Sequence, residues 1–376
     1  MKRLVIDVNS IVHSLVTGSS NGIARTTIEL VKALENSGNL PFEITLYSQN
    51  MKGLGGSYFL EKFKKIHFYL PYRDFAINFL SIFPLKELFN SYDLMHIPSN
   101  YCPVFNPEKT IFTLHDAFFM KINDTNFDYL KMRQEVPTLM KKSKGIITCS
   151  YFSKIDIAET MGIDPKKIRV IYWGYNNNVF KPKDICEVSN IQKKYNLNNE
   201  YFLSYSCSSG RKNTDKLIQA FLLYLEKGGG KDLVLVWSNP PLELKLIVTN
   251  SQFNQRIHFL SQVDDIDLSK LLQHSVSLIF PSSYEGFGLP VLEALACGTL
   301  VLTSNNSSLP EVGGEAAFYL NDLSTQGILK GIMNLEDKLD ERDKRVEKGL
   351  AQARKFCWKK TACDYIQAYK DFLEIN

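Results

Sequence analysis

The sequence predicts an α/β protein built from two doubly wound, Rossmann-like domains. Three observations predict it. Short apolar runs rich in β-branched and aromatic residues alternate with amphipathic helical stretches, the rhythm of βαβ units around a parallel sheet. The rhythm stops in residues 175–189, an Asn-rich stretch with Pro182 and no periodicity, and then restarts. The length, 376 residues, suits two domains of ordinary size.

In the first half, residues 4–8 form the opening strand. Residues 26–34 carry a helical pattern, with Ile28, Val31 and Leu34 three apart. Residues 43–47, 94–97, 110–114 and 145–148 are strand-like, 154–159 lies in a helix, and 168–172 is again a strand. The second series opens with a strand at 201–205 and a helix at 214–225. Strands at 233–237 and 257–260, a helix at 268–274 and a strand at 276–280 follow, then a helix at 290–296 and a strand at 300–303. The expected domains are 1–175, with a C-terminal helix at 358–376 packing back onto it, and 176–357. Ligands of such sheets bind outside the carboxyl ends of the strands.

Composition narrows the function. With 44% hydrophobic and 22% charged residues, the chain is not a disordered polymer, a collagen-like fibre or a small disulfide scaffold. A net charge of +4 is too weak for a dedicated nucleic-acid binder. Residues 1–180 hold 21 Lys/Arg and 16 Asp/Glu, so +5, and the remainder 23 and 24, so −1. Either the first half meets an anionic partner such as a phospholipid surface, or the asymmetry is scatter. No run approaches the ~18–20 apolar residues that span a bilayer. Asp7 and Asn9 interrupt the first apolar run, making it a strand and not a signal peptide. Seven cysteines, an odd number with no CxxC pair, argue against a disulfide framework or a zinc site. Together these features point to a cytosolic protein.

Four motifs carry chemistry. The densest is Phe280-Pro-Ser-Ser-Tyr-Glu-Gly-Phe-Gly-Leu-Pro-Val-Leu-Glu-Ala-Leu-Ala-Cys-Gly298, which follows a strand and enters a helix at Pro290. Gly286 and Gly288 let the backbone approach a ligand, and the helix start favours an anion. Glu285 and Glu293 stand eight positions apart, suited to paired hydroxyls of a ribose or hexose; alternatively Glu293 is a solvated helix residue. The second motif, Ser208-Ser-Gly-Arg-Lys-Asn213, lies after the first strand of the second series. Arg211 and Lys212 offer fork and point-charge donors to a diphosphate, or form a plain surface pair, and Asn213 or Thr214 caps the next helix. The third, Thr113-Leu-His-Asp116, places His115 as a proton donor, a donor to an oxyanion, or a structural imidazole. His13, His67, His96, His258 and His274 take the structural role. The fourth, Asn21-Gly-Ile-Ala-Arg25, is a glycine turn opening a helix, with too few glycines for a dinucleotide fingerprint.

Together these motifs resemble the GT-B glycosyltransferases, specifically the retaining sugar-nucleotide transferases of family 4. The likeness runs nearly end to end. It is most specific at Glu285-x7-Glu293, and continues in Ser307-Ser-Leu-Pro-Glu-Val312, Arg-Lys-Asn at 211–213, Thr-Leu-His-Asp at 113–116, Cys149-Ser-Tyr-Phe-Ser-Lys154 and the Phe356-Cys-Trp-Lys run. The resemblance implies a GT-B architecture with its two domains facing a central cleft, the first for the acceptor and the second for the nucleotide sugar. It implies that Arg211 and Lys212 hold the donor diphosphate and that Glu285 meets sugar hydroxyls. The amides of Gly286, Phe287, Gly288 and Leu289 would line the sugar and phosphates, and Glu293 would grip the ribose. Val263 would lie at the base, His115 would face the donor sugar, and Gly22 would lie near the diphosphate. Where many members have a second glycine the chain has Ala24, and where some branches have an additional Arg it has Ser206, which leaves the diphosphate to Arg211 and Lys212.

The resemblance further implies retention of anomeric configuration and a hexosyl donor, mannose-like by the Arg-Lys-Asn pattern, linked to GDP, UDP or dTDP. No cofactor is expected beyond that donor. Asp265-Ile-Asp267 has the spacing of a metal-holding pair but also precedes Leu268 as a helix cap does; on the cap reading no metal is required. The alternatives are a sugar-nucleotide-binding protein without transferase activity, a phosphorylase of similar architecture, or a transferase with a soluble acceptor. Lys62-Phe-Lys-Lys-Ile-His-Phe-Tyr-Leu-Pro-Tyr-Arg73, with Phe75, Phe79, Ile82 and Phe83 at roughly helical spacing, is either an interfacial patch on anionic lipid or a core-facing helix with a solvated edge. The first would suit a polyprenyl-diphosphate-linked glycan acceptor at the inner face of the cytoplasmic membrane.

Overall fold

The structure, a computed structural model, describes residues 1–11, 22–50, 62–69, 87, 91–122, 127–183, 190–207 and 209–375. It divides into two compact units, one of Met1–Gly174 with Trp358–Asn376 and the other of Tyr175–Cys357.

The first unit runs β1 (Lys2–Asp7), α1 (Gly22–Glu35), β2 (Phe42–Asn50), β3 (Lys64–Tyr69), β4 (Leu94–Ile97), β5 (Thr110–Thr113), α2 (Phe127–Lys142), β6 (Gly145–Thr148), α3 (Tyr151–Met161) and β7 (Ile168–Val170). Its sheet has the order β3-β2-β1-β4-β5-β6-β7, and every pairing is parallel; Leu4, for example, sits opposite both Ile44 and Leu94. Every residue of β4, β5 and β6 is buried, because helices cover both faces and leave no solvated side to demand alternation. Helix α3 starts where the Ser150 side chain accepts from Ser153 N–H and stops at Gly162, whose φ of 62° a glycine adopts without strain.

Strand β3 corrects the expectation for its segment. Lys64–Tyr69 is an edge strand and not part of a helix. Its Phe68 ring lies 5.9 Å from Tyr47 and, with Ile66, packs on the core, so these two apolar side chains are committed inward. The remainder of that stretch, with Phe75, Phe79, Ile82 and Phe83, lies outside the described residues.

The second unit runs α4 (Ile191–Lys194), β8 (Tyr201–Tyr205), α5 (Thr214–Glu226), β9 (Asp232–Val236), α6 (Leu242–Thr249), β10 (Ile257–Leu260), α7 (Asp265–His274), β11 (Ser277–Phe280), α8 (Leu289–Ala296), β12 (Leu300–Ser304), α9 (Leu309–Gly313), β13 (Phe318–Leu320), α10 (Thr325–Glu336) and α11 (Arg342–Ala353). Its parallel sheet has the order β10-β9-β8-β11-β12-β13. The strand order reverses between β8 and β11, so the loops that leave their carboxyl ends lie side by side at the switch point, where ligands of such sheets bind.

Helix α12 (Trp358–Leu373) belongs to the first unit. Its apolar face joins the cluster of Leu4, Ile6, Leu30 and Leu34 through Ala362, Tyr365 and Tyr369. A buried polar chain fixes its register. His96 Nδ1 lies 2.8 Å from Tyr369 Oη, His96 Nε2 lies 2.7 Å from Thr113 Oγ1, and Thr113 Oγ1 lies 3.2 Å from Tyr365 Oη. Burial lowers the His96 pKa to about 3, so the ring is neutral and uses one nitrogen to donate and one to accept.

Candidate functional site

Two of the predicted motifs meet in the second unit. The loop after β8 carries Gly210–Lys212 as a single 3-10 turn, and the loop after β11 carries Pro281 to Gly288. Their backbones are stitched together: Ser283 N–H donates to Arg211 O at 2.7 Å, and Asn213 Nδ2 donates to Pro281 O at 2.9 Å. This corrects the role expected of Asn213. It occupies the position before α5 in a left-handed conformation, φ 49°, and makes no side-chain cap, because its amide is spent on the neighbouring loop.

This stitching brings Arg211, Lys212 and Glu285 into one cluster. Lys212 Nζ lies 2.6 Å from Glu285 Oε1, with the two side chains 13% and 10% exposed. It also sits 4.3 Å from the centroid of the Phe280 ring, a cation–π contact. Arg211 Nη1 lies 3.3 Å from Glu285 Oε2 and donates to Tyr284 O at 2.8 Å. Ser282 Oγ donates to Glu285 Oε1 at 2.6 Å. Ser206, just after β8, has a buried hydroxyl with no hydrogen-bond partner among the described residues. Two cations, a carboxylate and strand-end hydroxyls thus gather where the sheet topology opens.

The rest of the long motif is built by packing as much as by chemistry. Phe287 is buried edge-on against Phe356, ring centroids 5.8 Å apart, so only its backbone can serve a ligand. Gly288 has φ 104°, which demands glycine, and a Cβ there would also fall 2.8 Å from Leu309 Cδ2. Helix α8 begins at Leu289, with Pro290 in its first turn one position later than expected. Glu293 is 2% exposed, which corrects the solvated alternative. Val263 is half-buried in the loop after β10. Asp264 caps α7 by accepting from Asp267 N–H at 2.8 Å, one residue before the expected pair. Asp267 is held instead by Lys194 and by Tyr195 Oη. Among the described residues no group of three or more His, Cys, Asp or Glu could hold a metal ion, and no helix is long and apolar enough to cross a membrane.

His115 and Gly22 lie in the first unit. His115 Nε2 is 3.3 Å from Pro98 O. A carbonyl only accepts, so the proton resides on Nε2. Nδ1 is buried with no partner among the described residues, and the ring leans on Trp173, centroids 5.2 Å apart. A small cavity lined by Thr26, Thr27, Thr113, Trp173 and Tyr365 adjoins the ring. The backbone is held equally firmly: His115 N–H donates to Asn100 Oδ1 at 2.9 Å, and its carbonyl accepts from Ser153 Oγ at 3.2 Å. Burial pushes the His115 pKa down to about 4, partly opposed by the Pro98 carbonyl. A neutral ring whose N–H is already engaged is an acceptor, which corrects the proton-donor role. Gly22 opens α1, and among the described residues nothing lies within 4 Å of where a Cβ would stand.

Sequence reasoning missed Phe280 beneath Lys212 and the serines around Glu285. Ser282 was legible only as one of two adjacent serines in a motif, and Ser307 and Ser308 lie more than twenty residues beyond it.

Comparison with known proteins gives the family and the fold. The model for "Glycosyl transferases group 1" matches residues 187–351, and that for "Glycosyltransferase Family 4" matches residues 20–178. O-antigen chain mannosyltransferase B of Escherichia coli is 30% identical over 285 residues, 74% of each chain. Among solved structures, sucrose-phosphate synthase from Thermosynechococcus elongatus superposes with a TM-score of 0.77 at 17% identity over 100% of both chains. Anabaena HepE, in complex with UDP and glucose, gives 0.73 at 17% identity over 98% and 99% of the two chains. The chain has the GT-B fold and belongs to the family 4 glycosyltransferases.

Proposed function

We propose that this glycosyltransferase moves a hexosyl unit, mannose-like, from a GDP-, UDP- or dTDP-linked sugar to a glycan acceptor in the synthesis of a bacterial surface polysaccharide, with retention of configuration and without a divalent metal. The observation that carries the proposal is the convergence of Arg211 and Lys212 with Glu285 at the carboxyl ends of β8 and β11. A departing nucleoside diphosphate needs its growing negative charge neutralised, and a guanidinium beside an ammonium supplies that without a metal. Glu285 then accepts hydrogen bonds from sugar hydroxyls. The acceptor oxygen bonds to the anomeric carbon on the face that the diphosphate leaves, and its proton passes to the leaving phosphate. Glu293 is assigned to the ribose, Val263 to the base, the amides of Gly286 to Leu289 to the sugar and phosphates, and His115, as an acceptor, to a donor-sugar hydroxyl.

The sugar and the pathway rest on the relative's being an O-antigen chain mannosyltransferase, and the donor class on HepE's being bound to UDP and glucose. A thermal-shift panel of GDP-, UDP- and dTDP-sugars tests them, since a ligand at 100 times its Kd adds about 2.7 kcal/mol. Release of nucleoside diphosphate from the stabilising donor should follow. No stabilisation by any sugar nucleotide would defeat the proposal. The acceptor is proposed to be linked to polyprenyl diphosphate, with peripheral contact to anionic lipid through the exposed Lys62 and Lys64. Sedimentation with anionic liposomes at low and high salt tests that contact, and a protein that ignores such vesicles has a soluble acceptor or another docking face.

A further inference from the structure

Glu285 is held by three serines in addition to its cations. Ser282 Oγ donates to the carboxylate at 2.6 Å, and its next acceptors, Arg211 O and Tyr284 O, are both at 3.3 Å. A hydroxyl has one proton, so the short contact takes it. Glu285 N–H donates to Ser307 Oγ at 3.0 Å, and Ser308 Oγ donates to Glu285 O at 2.9 Å. Ser282 and Ser308 are fully buried. Ser307 is held at φ 54°, an unfavourable conformation for a serine. Ser304 Oγ donates to Ser282 O, and Thr303 Oγ1 donates to Phe280 O at 2.8 Å, so the end of β12 and its loop brace the Glu285 loop along its length.

We propose that Ser282, assisted by Ser307 and Ser308, positions Glu285 so that Oε2 is the atom presented to a substrate hydroxyl. The last torsion of a glutamate is broad and nearly two-fold, so a carboxylate without a fixed partner turns. Oε1 receives both Lys212 and Ser282 at 2.6 Å, which fills its two lone pairs. Among the described residues Oε2 has only the longer Arg211 contact, 3.3 Å, and keeps accepting capacity. Lys212 is also the cation assigned to the donor diphosphate. When it turns to phosphate, Ser282 is the neutral donor that still holds Oε1. The inference rests on the proposed function, in which Glu285 meets sugar hydroxyls.

The test compares Ser282→Ala and Ser307→Gly with wild type, using the sugar nucleotide that the wild type turns over. Ser282→Ala should lower kcat about 10- to 100-fold, the scale of a misaligned reacting group, while Kd for the nucleoside diphosphate, measured by calorimetry, stays within about twofold. Ser307→Gly adopts φ 54° freely, keeps the fold, and removes the acceptor for Glu285 N–H together with a local hydrogen bond to Asn306 O; it should lower kcat in the same direction. Should Ser282→Ala fail to fold, Ser307→Gly decides alone. The inference is overturned if kcat in both variants stays near wild type, or if nucleoside diphosphate affinity falls as much as kcat, which would make the serines part of the phosphate loop. Failure of the wild type to bind any sugar nucleotide would instead defeat the functional proposal.

Discussion

Replacing Lys212 by methionine should destabilise the second unit by about 2 kcal/mol, and most of that loss should vanish when Glu285 is already glutamine. Methionine keeps an apolar side chain of similar shape and removes the ammonium, with its ion pair to Glu285 and its cation–π contact to Phe280. The pair is 2.6 Å apart with both side chains at most 13% exposed, so it belongs with buried ion pairs, where losing one partner costs roughly 3–5 kcal/mol. The expected figure is lower because Ser282 still donates to Oε1 and Arg211 remains 3.3 Å from Oε2. Glu285→Gln should cost a similar amount, since it leaves two neighbouring cations unopposed. The double variant leaves no Lys212 ammonium to be stranded, and only Arg211 still loses the Glu285 charge, so a coupling of about 1–2 kcal/mol is expected between contacting residues. Urea denaturation gives the four free energies, and calorimetry should show a midpoint shift of roughly 2–4 °C per kcal/mol for a unit of this size. Additivity within about 0.5 kcal/mol would refute the reasoning, because it would mean that the two groups do not share a partner.

Three further outcomes are expected. Lys212→Ala should weaken nucleoside diphosphate binding by about 1.5–3 kcal/mol, the value of a charged hydrogen bond, and leave binding of the bare nucleoside unchanged; equal losses would remove Lys212 from the phosphate. Transfer should persist in EDTA, and a loss restored by Mg²⁺ or Mn²⁺ would overturn the metal-free mechanism. Stability should fall as pH drops below about 6.5. Burial holds His96 at about 3 and His115 at about 4, so the unfolded chain takes up protons that the folded chain refuses, while above 6.5 neither state binds them. By pH 5 each histidine costs about 2 kcal/mol, with His67 adding in the same direction, and a urea midpoint that is flat from pH 7 to 5 would contradict this.

The doubly wound fold was legible because a parallel sheet covered on both faces writes itself as largely apolar, buried strands, as in 94–97, 145–148 and 201–205, where the expected bounds match the observed ones. Strand β3 was not legible. An edge strand buries less, and lysines with aromatics in Lys64–Tyr69 mimic an amphipathic surface. The cap of α7 was misplaced by one residue because three aspartates stand within four positions, and only the backbone decides which lies outside the helix. At the site, residue types that serve charge were legible: Arg211, Lys212 and Glu285 advertise themselves. Their mutual pairing was not, because Lys212 and Glu285 are 73 positions apart and only the shared sheet topology brings their loops together. The tautomer of His115 was equally hidden, since it depends on the carbonyl of Pro98.

The cluster also explains how one loop can keep two cations side by side in a poorly hydrated place. Arg211 and Lys212 alone would repel each other with few water molecules to screen them, and desolvation would penalise both. Glu285 removes that penalty by lying against both, and leaves the trio with a net charge of +1. A diphosphate that enters brings more negative charge than Glu285 supplies, so it can compete for the cations, while Glu285 retains the Ser282 hydroxyl and two backbone anchors. Stability without a donor and affinity for one therefore draw on the same three side chains. A substitution that strengthens the internal ion pairs should weaken diphosphate binding in proportion, because both compete for one set of N–H groups.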